Sequence, residues 1–336
     1  MKKIIYKSSI VSYFLVVTNK KIYKLCYFQK KMKIISMSDI HGDFETFDKA
    51  LHFVKNSDAR VLTINGDLAG SVFENEEKKS FINTSQTLIN QLPQIHKLTN
   101  GQIGTVHNAA NFLLSGNVKV PDELKKYSED YLKFEKVAKE KMSEQYKGFR
   151  QRLDELKQKV ILIPGNWDGI NLDDYLASEN IHNKYYGEVD GIKFIGYGGA
   201  REYPIELPPD IITTFDEDEA YSHLSKYGDA EIVLTYTVPR GFEGEKRYKG
   251  EYSLLAYLYR FEPSLILTGH IHVPFIVKEK KSGTFVANPG NLGRYNNQSF
   301  GTFLEIDIDG NLFVKPKTMY KIEGDSIKSS GLEDKV

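Results

Sequence analysis

Residues 33–44, KIISMSDIHGDF, decide the fold. The apolar run at 34–37 predicts a buried strand, which ends in the polar loop 39–43. Apolar residues then recur at helical spacing from 44 to 54, and 61–64 is a second apolar run of strand length. Strand, helix and strand in this order predict a βαβ unit, and therefore an α/β fold in which helices cover a sheet.

The pairing of an apolar strand with a polar loop directly after it recurs along the chain. Later strands are predicted at 160–163, 192–197, 232–235, 265–268 and 284–287, followed by polar loops at 164–168, 198–201, 236–240, 269–272 and 288–294. A hairpin is predicted to turn at Asp309 and Gly310. Because each polar loop follows the end of a strand, we expect the loops to line one cavity at the carboxyl edge of the sheets.

A helical insertion is predicted at 75–156. Apolar residues at intervals of three and four from 124 to 156 indicate one long amphipathic helix that begins at Pro121. Its apolar stripe needs a partner, which residues 75–120 could supply as a returning helix, or a second copy could supply as the coiled-coil seam of a homodimer. The intrachain partner is favoured because helical hairpins are common where a connection exists.

Composition narrows the class of protein. The chain has 336 residues with 45 basic and 45 acidic side chains, so no chain-wide field favours nucleic acid or an anionic membrane. The single cysteine, Cys26, excludes an internal disulfide and a thiolate metal cluster, which favours a cytoplasmic setting. No apolar run reaches the roughly 18 residues that span a bilayer, so no membrane partner is expected.

The first 31 residues differ from the rest, since they contain eight lysines and no acidic residue. No cleavage site of a signal peptide follows their apolar stretch, which argues against export. Because Met32 directly precedes the first core strand, Met32 is expected to be the natural start and the first 31 residues a translated upstream stretch whose place in the natural protein is doubtful. The core is predicted to be discontinuous, at 32–74 and 157–320, and residues 321–336 to be a flexible tail. The negative balance after Met32 makes nucleic acid an improbable partner.

Six candidate metal ligands lie in the predicted strand-end loops. Carboxylate, amide and imidazole donors without sulfur are typical of hydrolytic sites for manganese, iron or zinc, whereas magnesium alone prefers oxygen. Residues two apart in an extended segment point the same way. Asp39 and His41 can therefore face one cavity together, and so can His270 and His272. The six are Asp39, His41, Asp67, Asn166, His270 and His272.

The order of these motifs resembles that of the calcineurin-like metallophosphoesterases: DxH at 39–41, GD at 66–67, GN at 165–166 and GHxH at 269–272. Gly198–Gly199 and Asn288–Gly290 are similar to the Icc-related branch of predicted phosphoesterases. The resemblance implies a two-sheet β-sandwich flanked by helices, with two divalent metals, manganese or iron being expected and zinc allowed. It implies that Asp39, His41 and His272 hold the first metal, that Asp67 bridges, and that Asn166 and His270 hold the second. Asp67 and Asn166 would thus lie at the catalytic centre.

Two positions depart from the family pattern. Trp167 stands where the family usually has a histidine that can protonate the leaving oxygen, and an indole ring cannot transfer that proton. Tyr236 stands where a histidine ligand of the second metal is expected, and a neutral phenol is a poor ligand. Tyr236 is therefore a doubtful ligand that more simply forms a hydrogen bond or packs, and the second metal site is expected to be the weaker one.

Three arginines follow strands at the same edge and are candidate substrate contacts, since a planar guanidinium can hold phosphate oxygens in pairs. They are Arg201, Arg240 and Arg294.

The resemblance implies a metal-dependent phosphoesterase, more specifically a phosphodiesterase, whose substrate is a phosphate ester. Trp167, Tyr236 and the long helix leave open a catalytically weak or vestigial scaffold for protein partners, as in the phosphoesterase-like retromer subunit. A DNA nuclease is the third hypothesis, and the negative balance of the core argues against it.

Overall fold

The computed structural model describes residues 31–202, 204–242, 249–294, 299–309 and 313–330, apart from the side chains of 185–187, 316 and 330, and only the backbone of three strands before residue 31. The strands are β1 Lys3–Lys7, β2 Val11–Thr18, β3 Lys21–Phe28, β4 Met32–Met37, β5 Val61–Asn65, β6 Lys159–Ile163, β7 Lys184–Val189, β8 Ile192–Tyr197, β9 Ile232–Thr235, β10 Leu265–Leu267, β11 Phe275–Lys278, β12 Phe285–Asn288, β13 Phe300–Ile308, β14 Val314–Glu323 and β15 Ser326–Ser330. The α-helices are α1 Phe44–Asn56, α2 Asn75–Leu98, α3 Val106–Leu114, α4 Asp122–Leu153, α5 Asp173–Leu176, α6 Glu217–Lys226 and α7 Tyr252–Phe261, with short 3₁₀ turns at Ile170–Leu172 and Pro209–Ile211.

Two six-stranded sheets form the centre of the molecule. The first sheet has the strand order β15-β14-β13-β4-β5-β6, in which β4, β5 and β6 run parallel. The second sheet has the order β11-β12-β10-β9-β8-β7, in which β8, β9, β10 and β12 run parallel. The carboxyl ends of the parallel strands therefore carry the polar loops that follow them.

Alternation along the strands explains how the sheets pack. On β4, Ile34 belongs to the apolar cluster shared by the two sheets, whereas Ile35 faces the cluster shared with the helices. On β9 the same alternation places Ile232 between the sheets and Val233 against α6 and α7. Because both faces of these strands are covered, they read as continuous apolar runs. The structure is thus helix, sheet, sheet and helix in layers, which confirms the predicted sandwich.

The predicted helical insertion is present as a set of packed helices. Helix α4 buries its apolar stripe, including Tyr131, Met142 and Phe149, within the chain. The ring of Phe81 on α2 lies 6.2 Å from that of Tyr131, so α2 is the returning partner that the sequence favoured over a coiled-coil seam. The second half of α4 packs on α1, where the ring of Phe149 lies 4.8 Å from that of Phe44.

The C-terminal end of the chain differs from expectation, and the N-terminal extension forms a sheet of its own. The sequence predicts a flexible tail from residue 321, but residues 321–323 complete β14 and 326–330 form β15, paired in one antiparallel hairpin. Residues 331–336 lie outside the described residues. The strands of the predicted basic extension form an antiparallel sheet in the order β1-β2-β3. Among the described helices, none combines the length and the hydrophobicity that crossing a bilayer requires.

We predict that Phe149→Ala lowers the free energy of unfolding by about 3–5 kcal/mol, because it leaves a cavity where α4 meets α1. Leu98→Ala, at a side chain that is 69% exposed, serves as control and should change it by less than about 0.5 kcal/mol. Urea titration monitored by circular dichroism measures both values. A loss below about 1 kcal/mol in Phe149→Ala would show that the insertion does not support the core.

Candidate metal centre

Three side chains predicted as ligands of the first metal converge at the carboxyl edge of the sheets. Asp39 and His41 follow β4, and His272 follows β10. The Nε2 atoms of His41 and His272 are 3.5 Å apart, and Asp39 Oδ1 is 3.4 Å from His272 Nε2. One ligand atom from each residue lies within 4.8 Å of the other two. One cation could therefore contact all three.

Asp67, which follows β5, extends this cluster. Its Oδ2 is 3.7 Å from His41 Nε2, and its Oδ1 accepts a 2.8 Å hydrogen bond from the backbone N–H of Trp167. Burial and the negative charges of Asp39 and Asp168 raise the pKa of Asp67 well above its usual value. A bound cation would relieve this repulsion, so the donor set fits the metal that the resemblance implies.

The protonation state of His41 fits a metal ligand as well. Burial lowers its pKa to about 3, although the charge of Asp39 opposes the change. The imidazole is therefore neutral at physiological pH, and a neutral ring nitrogen has the lone pair that a metal requires. Asp39 is fully buried; despite burial, the hydrogen bond and charge of His272 hold its pKa below the usual value.

Four of the predicted ligands have left-handed backbone conformations. The φ angles are 53° at Asp39, 50° at His41, 50° at Asp67 and 65° at His270. Such angles cost an L-residue on the order of 1–2 kcal/mol each, and here backbone hydrogen bonds hold them in place. The N–H groups of Asp39 and His41 donate to the carbonyls of Gly66 and Asp67, both at 3.0 Å. The two loops thus fix each other.

Tyr236, the doubtful ligand, is completely buried behind the carboxylates. Its hydroxyl donates a 2.9 Å hydrogen bond to Asp39 Oδ1. Burial and the charges of Asp39 and Asp67 raise its pKa well above the usual value, so it remains a phenol. A Cβ atom at Gly66 would collide with its ring. The hydrogen-bonding role expected for Tyr236 is what the structure shows.

The two predicted ligands of the second metal meet at one further residue, Glu202, in the loop after β8. The side-chain amide of Asn166 donates a hydrogen bond to the Glu202 carbonyl. His270 Nε2 lies 3.6 Å from Glu202 Oε2, and the backbone N–H of His270 donates to Asp39 Oδ2 at 3.2 Å. The nearby imidazole of His270, opposed by partial burial, lowers the pKa of Glu202. Sequence reasoning stopped at the neighbouring Arg201 and missed this carboxylate.

Trp167 faces the same cluster. Its side chain is 7% exposed, and its ring meets that of His41 edge to face at 5.6 Å between centroids. An indole therefore occupies the position beside His41, in agreement with the departure noted in the sequence.

The three arginines have different surroundings. Arg201 pairs with Glu217 and with Glu251, whose Oε2 is 2.8 Å from Nη2. Arg294 pairs with Asp43 at 2.9 Å and with Glu45 at 2.6 Å. The guanidinium of Arg240 lies 5.2 Å from the ring centroid of Tyr252, which is exposed.

A second group missed by sequence reasoning holds the loops together from behind. The buried carboxylate of Asp168 accepts hydrogen bonds from the backbone N–H groups of Leu68, Ala69 and Gly165 at 2.8–3.1 Å. Burial raises its pKa to about 6, against the lowering effect of these donors. Asp168 thus joins the loop after β6 to the loop that carries Asp67.

Helix α4 takes part in this support. The hydroxyl of Tyr146 accepts a 2.7 Å hydrogen bond from the N–H of Gly169 and donates one of 3.3 Å to Asp168 Oδ1. Gln145 Oε1 accepts a 2.8 Å hydrogen bond from the N–H of Gly70. From its attachment points, the insertion is expected to cover the cavity or to carry a dimer contact and to take no part in building the metal site. Helix α4 nevertheless positions the loops that build it.

We predict that Tyr146→Phe lowers the free energy of unfolding by about 1–3 kcal/mol, because the Gly169 N–H is left buried without an acceptor. The half-buried Tyr127 of the same helix provides the control, since Tyr127→Phe should stay within about 0.5 kcal/mol of wild type. Equal effects of the two substitutions, measured by urea unfolding, would show that the Tyr146 hydroxyl contributes nothing specific.

Comparisons with known proteins give the family of the chain. Residues 32–274 match the family model of the calcineurin-like phosphoesterases. No curated protein matches the chain. One solved structure shares 13% identity at a TM-score of 0.52 and covers 90% of this chain and 100% of its own. TT1561 of Thermus thermophilus shares 14% sequence identity at a TM-score of 0.49, with the same coverage of both chains. A novel archaeal phosphodiesterase shares 14% sequence identity at a TM-score of 0.36, and the match covers 87% of this chain and 99% of that chain.

At 13% identity, the structure with a TM-score of 0.52 shows the fold alone, whereas the family model extends from the first strand of the core through both histidines of the loop after β10. The protein belongs to the calcineurin-like phosphoesterases.

Proposed function

We propose that the protein is a metal-dependent phosphodiesterase that hydrolyses a phosphate diester with water. The observation that carries this proposal is the convergence of Asp39, His41 and His272 within 4.8 Å, with Asp67 directly beside them. Buried carboxylates and imidazoles in one cluster are ligands for a divalent cation, and the family to which the chain belongs is metal-dependent.

Asp39, His41 and His272 would hold the first cation, and Asp67 would bridge to a second one beside Asn166 and His270. Manganese or iron suits this mixture of oxygen and nitrogen donors better than magnesium. Divalent cations there would supply a Lewis acid toward the phosphoryl oxygens and make a water molecule acidic enough to attack.

The chain's own groups prepare the ligands. The phenol of Tyr236 fixes one oxygen of Asp39, and the N–H of Trp167 fixes one oxygen of Asp67. Both carboxylates therefore keep their orientation before any ligand enters, which lowers the reorganisation that binding requires.

Substrate contacts would come from the edge of the cavity, where Arg201, Arg240 and Arg294 remain the candidates. Two carboxylates orient each of Arg201 and Arg294, and the guanidinium of Arg240 lies near the exposed ring of Tyr252. Residues 75–156 are proposed to act as a cap that limits substrate size, while the C-terminal half of α4 remains part of the scaffold.

We predict that His272→Ala removes the tight binding of one Mn²⁺ and lowers hydrolysis of an aryl phosphodiester by at least about 100-fold, because the first cation loses a ligand. His52→Ala, at an exposed histidine of α1, is the matched control and should leave both unchanged. Calorimetric titration with Mn²⁺ and release of the aryl alcohol are the two measurements.

Hydrolysis by wild type that persists in excess chelator would refute the proposal. Tight Mn²⁺ binding without turnover of any phosphate ester would favour the scaffold hypothesis.

We further predict that activated aryl phosphodiesters are cleaved at least about tenfold faster than unactivated alkyl monoesters, because the indole of Trp167 cannot protonate a departing oxygen. Trp167→His should raise the rate chiefly for the alkyl ester. Trp167→Phe, which restores no proton donor, is the control. Equal rates of the wild-type protein on both substrates would show that another group acts as the acid.

A further inference from the structure

Glu202 lies between the two residues proposed to hold the second cation. Its Oε2 is 3.6 Å from His270 Nε2, and its backbone carbonyl accepts the hydrogen bond from the Asn166 amide. Its side chain is 49% exposed, so the carboxylate reaches the site from the solvent side.

The position of Glu202 is fixed on its N-terminal side. The guanidinium of the preceding Arg201 is held by Glu217, in the first turn of α6, and by the buried Glu251 at the start of α7. Ala200 bridges to Thr214, and its carbonyl accepts a 3.1 Å hydrogen bond from the N–H of Phe215. The Asn166 amide also donates a hydrogen bond to the backbone carbonyl of Glu202. Glu202 is therefore held at the cavity by this hydrogen bond and by the contacts of the two residues before it.

The second cation position is short of one donor without this residue. Tyr236, at the place of the family's histidine, is a buried phenol whose hydroxyl is hydrogen-bonded to the carboxylates of Asp39 and Asp67. An amide and one imidazole are the remaining proposed donors besides the shared Asp67. A carboxylate oxygen is a strong donor for hard and borderline divalent cations, and it would supply a donor in place of the absent imidazole.

We infer that Glu202 is a ligand of the second cation, where its carboxylate takes the place of the missing imidazole. This inference rests on the proposed metal-dependent function, because it assumes that cations occupy the site.

The test is a titration of the full chain with Mn²⁺ alone. The electron paramagnetic resonance signal of free Mn²⁺ measures how much of the added metal is bound. Wild type should bind two ions, one tightly and one more weakly. Glu202→Gln should weaken the second event by at least about tenfold and leave the first unchanged, because even groups that only support a ligand change metal affinity 10–100-fold. Glu206→Gln removes the same charge from the same loop, where Glu206 pairs with Lys78, and should bind as wild type does.

Three results would overturn the inference: a single Mn²⁺ bound by wild type, an unchanged second event in Glu202→Gln, or loss of both events in that variant. The last would mean that Glu202 acts through the fold. Because the titration needs no turnover, a second event that depends on Glu202 would support the ligand role even if no phosphate ester were hydrolysed. Conversely, if Glu202→Gln bound Mn²⁺ as wild type does while wild type showed metal-dependent hydrolysis, Glu202 would not be a ligand and the proposed function would still stand.

Discussion

The burial of three carboxyl groups at one edge of the sheets is the constraint on which the rest of the site depends. Taking a carboxylate out of water costs several kcal/mol unless donors or cations compensate it. Asp168 is compensated by backbone N–H groups and by Tyr146, and Asp39 by Tyr236 and by the N–H of His270. Asp67 has the Trp167 N–H and a hydrogen bond from Tyr236, but burial and two negative neighbours raise its pKa. The local fold therefore compensates Asp168 with hydrogen-bond donors. It leaves Asp39 and Asp67 close together beside the ring nitrogens of His41 and His272.

The same loops carry backbone strain that mutual contacts maintain. Asp39, His41, Asp67 and His270 all have left-handed φ angles, a conformation that side chains oppose. Each loop is short and begins directly at the end of a buried strand, so the strands fix its origin, and hydrogen bonds to the neighbouring loop fix its path. Strain concentrated in a binding site and supported by a rigid sheet is a common cost of aiming several ligands at one point.

Much of this arrangement could be predicted from the sequence, because apolar runs define strands and polar residues after parallel strands must share one edge. The convergence of Asp39 with the histidines follows from this rule. Glu202 could not be found, since a single glutamate after Arg201 has no periodic signal and its neighbours come from distant loops. Periodicity likewise predicts that Tyr146 is buried, but it cannot show which groups its hydroxyl meets. The strand at 326–330 escapes prediction because an edge strand, paired on one side, needs little hydrophobicity.

The hydrogen bonds between helix α4 and the loops have a consequence for the behaviour of the whole molecule. A continuous path leads from the insertion through Tyr146 and Asp168 to the backbone beside Asp67. By thermodynamic linkage, a ligand that binds the carboxylates more tightly when the helix is docked also favours the docked position, by the same free energy. An insertion coupled in this way would respond to the occupancy of the centre, and a molecule bound to its outer face would change the affinity for metal without touching the metal.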